Sequence, residues 1–411
     1  MKSGTILSLA VLLTAASGST LALTPQEKLG KSIFFDQNLS INGNQSCAAC
    51  HALEAGWTGP DPAINAGGAV YEGSIAGRFG NRKPPSSAYA TPSPILHFVI
   101  DKKEALFIGG NFWDGRATGE RLGSPAAEQA LGPFLNPLEQ ALPDAAAVIT
   151  RICSSIYTGQ FTQVCGADAC DTTDPDNVSA TYDCVGFSVA AYEGSAEVNQ
   201  YSSKYDAFLK GQVDLTQQEK QGLNLFRSKG KCANCHVLDP GPNGEPPLLT
   251  DFTFDNLGLP RNPANPFYNE PAFNPQGFAW IDLGLGGFLA SRVDYQQYAA
   301  ANNGKQKVPT LRNVDKWDPA LGTKVKAYGH NGYFKKLWEI VHFYNTRDVK
   351  PPCLDDLTRI EDALAQGCWP RPEVPVNVNT KELGKLNLTT AQEEAIVAFL
   401  KTLSDGFVPE P

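Results

Sequence analysis

The sequence predicts a mainly α-helical protein built as two similar units with long loops. Three observations predict this: a helix-start pattern that occurs twice, a cysteine–histidine motif that follows each copy, and few of the alternating apolar–polar runs that mark strands. The first copy, Thr24-Pro-Gln-Glu27-Lys28-Leu-Gly30, is matched by Thr216-Gln-Gln-Glu219-Lys220-Gln-Gly222, and each runs on to an aromatic, Phe34 and Phe226. Thr followed three residues later by Glu is a capping box, in which the two side chains satisfy free N–H groups at a helix start. Pro25 suits the first helical position. Each copy therefore reads as a short helix. Further helices are expected around Ala126–Leu131 and Ala145–Cys153, and from Thr390 through Leu400. Residues 58–90 and 238–285 read as Pro- and Gly- or Asn-rich loops, the second lying over the second motif. Residues 153–184, with four cysteines and many Asp and Thr, read as a disulfide-pinned insertion.

The motifs are Cys47-Ala48-Ala49-Cys50-His51 and Cys232-Ala233-Asn234-Cys235-His236. Cys-x-x-Cys-His is the attachment signal for c-type heme: two thiols add to the heme vinyl groups and the adjacent His reaches the iron. A zinc site or a thioredoxin-like redox pair also uses paired cysteines, but neither explains why His follows the second Cys both times. The fold expected is two cytochrome c-like domains, residues 23–205 and 206–411, each around one covalently attached heme. Cys47, Cys50, Cys232 and Cys235 attach the hemes, and His51 and His236 are the proximal ligands.

The first residues fit an exported protein. Lys2, an apolar run from Ile6 to Ala16 and small residues up to Ala22 read as a signal peptide, residues 1–22, too short to span a bilayer comfortably. An uncleaved anchor is the alternative reading. No later run is long and apolar enough to span, so no membrane span is expected in the mature chain, and a periplasmic or otherwise exported location follows. A net charge of −9 without any basic cluster argues against nucleic acid as a partner. Six of the ten cysteines lie outside the motifs, an even number that suggests disulfides in an exported chain. Cys353 and Cys368 flank a short helical stretch and are expected to pair, whereas Cys153, Cys165, Cys170 and Cys184 allow three connectivities.

The sole methionine is Met1, which a signal peptide carries away. Neither heme can then have the His/Met ligation of electron-carrier cytochromes c. Of the five histidines, His97, His330 and His342 remain as distal candidates, beside Tyr, Lys or an open site.

Phe112-Trp113-Asp114-Gly115-Arg116-Ala117, then Glu128-Gln129-Ala130-x-x-Pro133-x-x-Asn136-Pro137-x-Glu139, then Val308-Pro309-Thr310-Leu311-Arg312-Asn313-Val314 and Tyr328-x-His330-x-Gly332 follow one another along the chain. In this order, around two heme motifs, they resemble the bacterial di-heme cytochrome c peroxidases, and within them the MauG-like branch. The resemblance covers nearly the whole mature chain. It implies that Tyr344, fourteen residues after His330, is the distal ligand of the second heme, where ordinary members carry Met. His342 competes, but two helical residues apart they point to opposite faces. Ordinary members often have a distal His after the first motif. Here no His occurs between Ala52 and Leu96, so the first heme is expected to be open to peroxide.

By the same resemblance Glu139 moves a proton between the peroxide oxygens, Gln129 and Pro133 are its distal neighbours, and Trp113 carries electrons between hemes. Arg116 supports a heme propionate or the local turn. The family calcium site maps onto Lys83, a poor neighbour for a cation that wants oxygen ligands, with Asn81 as a substitute if the loop shifts. The function implied is an exported oxidoreductase that reacts with hydrogen peroxide, forms high-valent heme iron and oxidises a partner protein. One alternative is a peroxidase fed by a small cytochrome c or copper protein, and another is a non-catalytic di-heme electron carrier. The family's surface tryptophan before the second motif is replaced by Gly230, leaving Trp280, Trp317, Trp338 and Trp369 as exit points for oxidising equivalents.

Overall fold

The computed structural model describes residues 22–101, 104–241 and 244–409. The signal peptide expected over residues 1–22 lies outside them but for its last residue. Eight helices of eight or more residues are described: α1 (Pro25–Phe34), α2 (Pro125–Leu135), α3 (Ala145–Cys153), α4 (Thr158–Cys165), α5 (Pro175–Gly194), α6 (Gln217–Arg227), α7 (Leu337–Thr346) and α8 (Thr390–Lys401). The strands are short: β1 (His97–Asp101) pairs antiparallel with β2 (Glu104–Ile108), and β3 (Phe254–Asp255) with β4 (Gln306–Lys307).

The duplication read from sequence is physical. Both capping boxes form, at Thr24/Glu27 and Thr216/Glu219. In the first unit α1 crosses α5, and in the second α6 crosses α8. Each crossing is tight because a glycine lies at its centre. A Cβ on Gly30 would collide with the Ser188 carbonyl, and one on Gly222 with that of Ala395. An aromatic pair closes each crossing edge-to-face, Phe34 on Tyr192 at 5.5 Å and Phe226 on Phe399 at 5.2 Å. Such pairs add about 1 kcal/mol beyond the area they bury. Gly222→Ala should therefore destabilise by about 3 kcal/mol, since backbone rather than a movable side chain blocks the methyl. A denaturant midpoint unchanged from wild type would contradict this.

Two large apolar cores follow from the crossings. Leu29, Phe34, Trp57, Ile149, Phe161, Val185 and Tyr192 fill the first; Leu223, Phe226, Phe334, Phe343, Trp369, Ile396 and Phe399 fill the second. A third, smaller core of Leu96, Phe107, Phe254, Leu285 and Leu289 sits under the β1–β2 hairpin. A buried ion pair of the second unit holds a cation against the first: Arg312 donates to both Asp206 oxygens at 2.9 and 3.0 Å, and its guanidinium lies over Tyr89 and Tyr201 of the first unit.

Three readings need correction. Residues 153–184 are not an insertion: they form α4 and the first half of α5, a helix of the first core. Their disulfides, Cys153–Cys170 and Cys165–Cys184, tie α3 and α4 to that helix and its lead-in. The loop of residues 58–90 contains a short helix, Pro62–Ala66, capped by Asp61. The β1–β2 hairpin was not expected, because its residues are apolar on both faces and show no alternation. Cys353–Cys368 forms as expected, around the helix Ile360–Gln366.

Candidate active site

Each cysteine–histidine motif makes one turn of helix, and each histidine is set the same way. The His51 N–H donates to the Cys47 carbonyl at 3.0 Å, and the His236 N–H to that of Cys232 at 2.9 Å. Nδ1 of His51 lies 3.2 Å from the Trp57 carbonyl oxygen, and Nδ1 of His236 lies 2.9 Å from that of Leu249. A backbone acceptor on Nδ1 fixes the tautomer and leaves the Nε2 lone pair for a metal. Burial pulls both imidazoles down to about 4, so both are neutral at ordinary pH.

A cavity of about 80 Å³ opens beside His51, with Phe112, Trp113, Gln129, Glu193 and Lys307 in its wall. Gln129 is presented by α2, in which Pro133 lies. Glu139 is not in that wall; burial raises the thiols of both Cys47 and Cys50, and the Glu139 carboxyl lies close enough to add to it, after Glu193 in the case of Cys47. Burial raises the Glu139 carboxyl, and Asn136 Nδ2 donates to it at 2.9 Å. The positive charge of Arg116 acts on it in the opposite direction. Arg116 itself pairs with Asp114 at 2.8 Å and stacks over Phe112 at 3.7 Å.

The second cavity, about 210 Å³, is lined by Cys232, Cys235, His236 and Tyr344 among others. Residues Asp255, Leu257, Leu259 and Asp282 of the loop expected to lie there also line it. Burial, and then the nearby thiols of Cys232 and Cys235, hold the Tyr344 phenol above its ordinary value. His342, two residues earlier on α7, faces away: its Nδ1 is 2.9 Å from Glu393 Oε1 and its ring stacks on Trp338 at 4.6 Å. His97 is exposed on β1, with Nδ1 2.8 Å from the Ile95 carbonyl oxygen, and is neither a core residue nor near a motif. His330 lines the second cavity, and its buried Nε2 has no hydrogen-bond partner.

Trp113 lines both cavities, and its indole N–H donates to the Lys83 carbonyl at 2.8 Å. Trp280, Trp317, Trp338 and Trp369 line neither. Two features of the first cavity had no sequence signal. Lys307 lines both cavities and bonds only neutral oxygens, those of Ser93, Gly110 and Asn111. Burial lowers it to about 7. Glu193, on α5, is the other.

The family model for di-haem cytochrome c peroxidase matches residues 24–214. Over 402 residues, 97% of this chain and 94% of the relative, the sequence is 33% identical to the methylamine utilization protein MauG of Paracoccus denitrificans. The chain belongs to the di-haem cytochrome c peroxidase family. It is also 28% identical over 301 residues to the cytochrome c551 peroxidase of Nitrosomonas europaea, covering 72% of this chain and 68% of that one. The fold matches the crystal structure of the diheme peroxidase BthA from Burkholderia thailandensis with a TM-score of 0.74 at 30% identity, covering 93% and 87% of the two chains.

The enzyme is thus a peroxidase-type oxidoreductase that uses two hemes, and its residues fit them. Two neutral imidazoles, each with Nδ1 set on a backbone carbonyl, stand beside a cavity. The Lys307 ammonium, which has no carboxylate partner among the described residues, suits an anionic propionate of a heme, whereas His330 Nε2 already faces Asp282 at 3.8 Å and Glu373 at 4.0 Å. Calcium does not fit the position read for it. Lys83 is buried, and its Nζ donates to Thr58 Oγ1 at 3.1 Å and to the Pro84 carbonyl at 2.9 Å. An ammonium thus already occupies the oxygens there, while the Asn81 carbonyl accepts from Asn265. Chelators should leave the heme spectra of this peroxidase unchanged; a spectral change reversed by added Ca²⁺ would contradict that. Among the described residues no helix is long and apolar enough to cross a membrane.

Proposed function

We propose that the enzyme is exported, holds both hemes as heme c, and uses hydrogen peroxide to oxidise residues of a partner protein. Cys47, Cys50, Cys232 and Cys235 form the thioether links, and His51 and His236 give their Nε2 lone pairs. When bound, the hemes supply iron that accepts peroxide at the first site and exchanges electrons at the second. Gln129 lines the first site, and Glu139 carries a proton from the inner to the outer peroxide oxygen, a general acid–base task suited to a carboxyl whose pKa is raised. Trp113, in the wall of both cavities, is placed to pass electrons between them. The chain divides into its two heme units near residue 205.

One observation carries this reading: Tyr344 lies in the second cavity with Cys232, Cys235 and His236, in a chain whose only methionine is Met1. An anionic oxygen ligand lowers a heme's potential and favours its oxidised states, whereas Met raises it. A donor-fed peroxidase, the second reading, is favoured by the likeness to the cytochrome c551 peroxidase. It needs an electron-entry heme of high potential.

Mixing the fully oxidised enzyme with one equivalent of peroxide separates the two. The proposal expects direct reaction without prior reduction, since no His follows the first motif up to Leu96. Oxidised residues should then appear on protein, read as added oxygen or cross-links by mass. Reaction only after a one-electron reduction, with rapid turnover of a reduced cytochrome c or copper protein, would favour the second reading.

A further inference from the structure

Glu193 of α5 lines the His51 cavity, is 5% exposed, and has no hydrogen-bond or ionic partner among the described residues. The duplicated helix crossing supplies its counterpart. Gly30 packs against Ser188 and against Tyr192 Cβ at 3.0 Å, as Gly222 packs against Ala395 and against Phe399 Cβ at 2.9 Å. Ser188 therefore corresponds to Ala395 and Tyr192 to Phe399. The next residues, Glu193 and Leu400, correspond in turn. Leu400 lines the His236 cavity and is also 5% exposed. One position, equally buried in both units, holds an acid beside the first heme site and a hydrocarbon beside the second.

An unpaired buried carboxyl costs on the order of several kcal/mol if ionised, a cost the leucine avoids. A buried acid in a cleft whose ionisation is so opposed is a candidate for proton chemistry. We propose that Glu193 is a proton-holding acid of the first heme site, binding one proton from solvent when that site takes one electron from a one-electron donor and releasing it when the electron leaves. This rests on placing a heme in the His51 cavity.

Burial pushes the Glu193 carboxyl up to about 8, so it holds its proton at neutral pH and the uptake and release coupled to the electron fall in the alkaline range. The ionisable groups on the elements packed against α5 are mostly engaged elsewhere. On α1, Glu27 is in the capping box and Lys31 pairs with Glu197, leaving Lys28 on that helix. Glu128 of α2 accepts from the N–H groups of Gly119, Arg121 and Leu122. Arg151 of α3 donates to the carbonyls of Asn38, Ser40 and Ile41, and α4 carries only a disulfide cysteine. Tyr192 neighbours Glu193 on its own helix, and His51, Tyr89 and Lys307 share the cavity wall. The negative charges of Glu193 and Glu139 are both felt by Cys47, whose thiol is lost on heme attachment.

An added electron favours the protonated acid, and by reciprocity the bound proton favours the electron. The midpoint potential of the first heme should therefore fall as pH rises, between the pKa of Glu193 in the oxidised site and its higher value in the reduced site. Optical redox titration of the holoenzyme over a pH series reads this for each heme separately. Two variants test the source: Glu193→Leu, which copies the second site, and Glu193→Gln, which keeps shape and removes the ionisable proton. Both should lose the slope at the first heme and leave the second heme's potential unchanged. A slope that persists in either fully loaded variant overturns the inference. Absence of heme from the Cys47–Cys50 peptide by mass would overturn the placement of the heme, and the inference with it.

Discussion

Tyr344→Phe should abolish the low-spin ferric signal of the second heme while both hemes stay attached. The substitution removes one oxygen and keeps the ring on the cavity face of α7, so packing against Phe343 and the second core is preserved. Its energetic cost in the fold should be small, because burial already disfavours the phenol's charged form unless iron stabilises it. If Tyr344 holds that heme's iron as proposed, its loss would leave the iron high-spin and raise its potential. His342→Ala should leave the signal intact, since that imidazole is spent on Glu393 and stacks on Trp338. A low-spin signal that survives in Tyr344→Phe and vanishes in His342→Ala would reverse the assignment.

Glu139→Gln should slow the reaction with peroxide about 10²–10⁴-fold, the usual worth of a positioned acid–base group. The variant keeps the side chain's shape beside Asn136 but can neither take nor give a proton. The pH profile carries a further sign. Burial raises the Glu139 carboxyl, so it remains protonated to higher pH than an ordinary glutamate. The first transfer needs it as a base, so the rate should rise with pH through that raised pKa. The rising limb should be missing in Glu139→Gln. A variant with wild-type rate and profile would remove Glu139 from the chemistry.

How much of this was legible in the sequence depended on whether the signal was local. The capping boxes at Thr24 and Thr216 and the last helix near Thr390 are local hydrogen-bond patterns, and those helices start where expected. The absence of methionine outside Met1 limits ligand choice without any coordinates. By contrast, residues 153–184 read as an insertion because they are rich in Asp, Thr and Cys, yet tertiary packing and two disulfides hold much of this stretch in α4 and the start of α5. Disulfide connectivity is a matter of distance, which spacing does not encode. Glu193 and Lys307 carry no motif at all. Their meaning lies in burial without a partner of opposite charge, and that appears only when distant segments meet around the first cavity.

The central claim is that one chain holds two unequal hemes, one open at His51 and one closed by Tyr344. Electron paramagnetic resonance of the resting, fully oxidised enzyme tests it most directly. The account predicts one high-spin and one low-spin ferric heme in equal amounts, with the high-spin signal lost when peroxide is added. Two low-spin signals of equal intensity, both unchanged by peroxide, would contradict it.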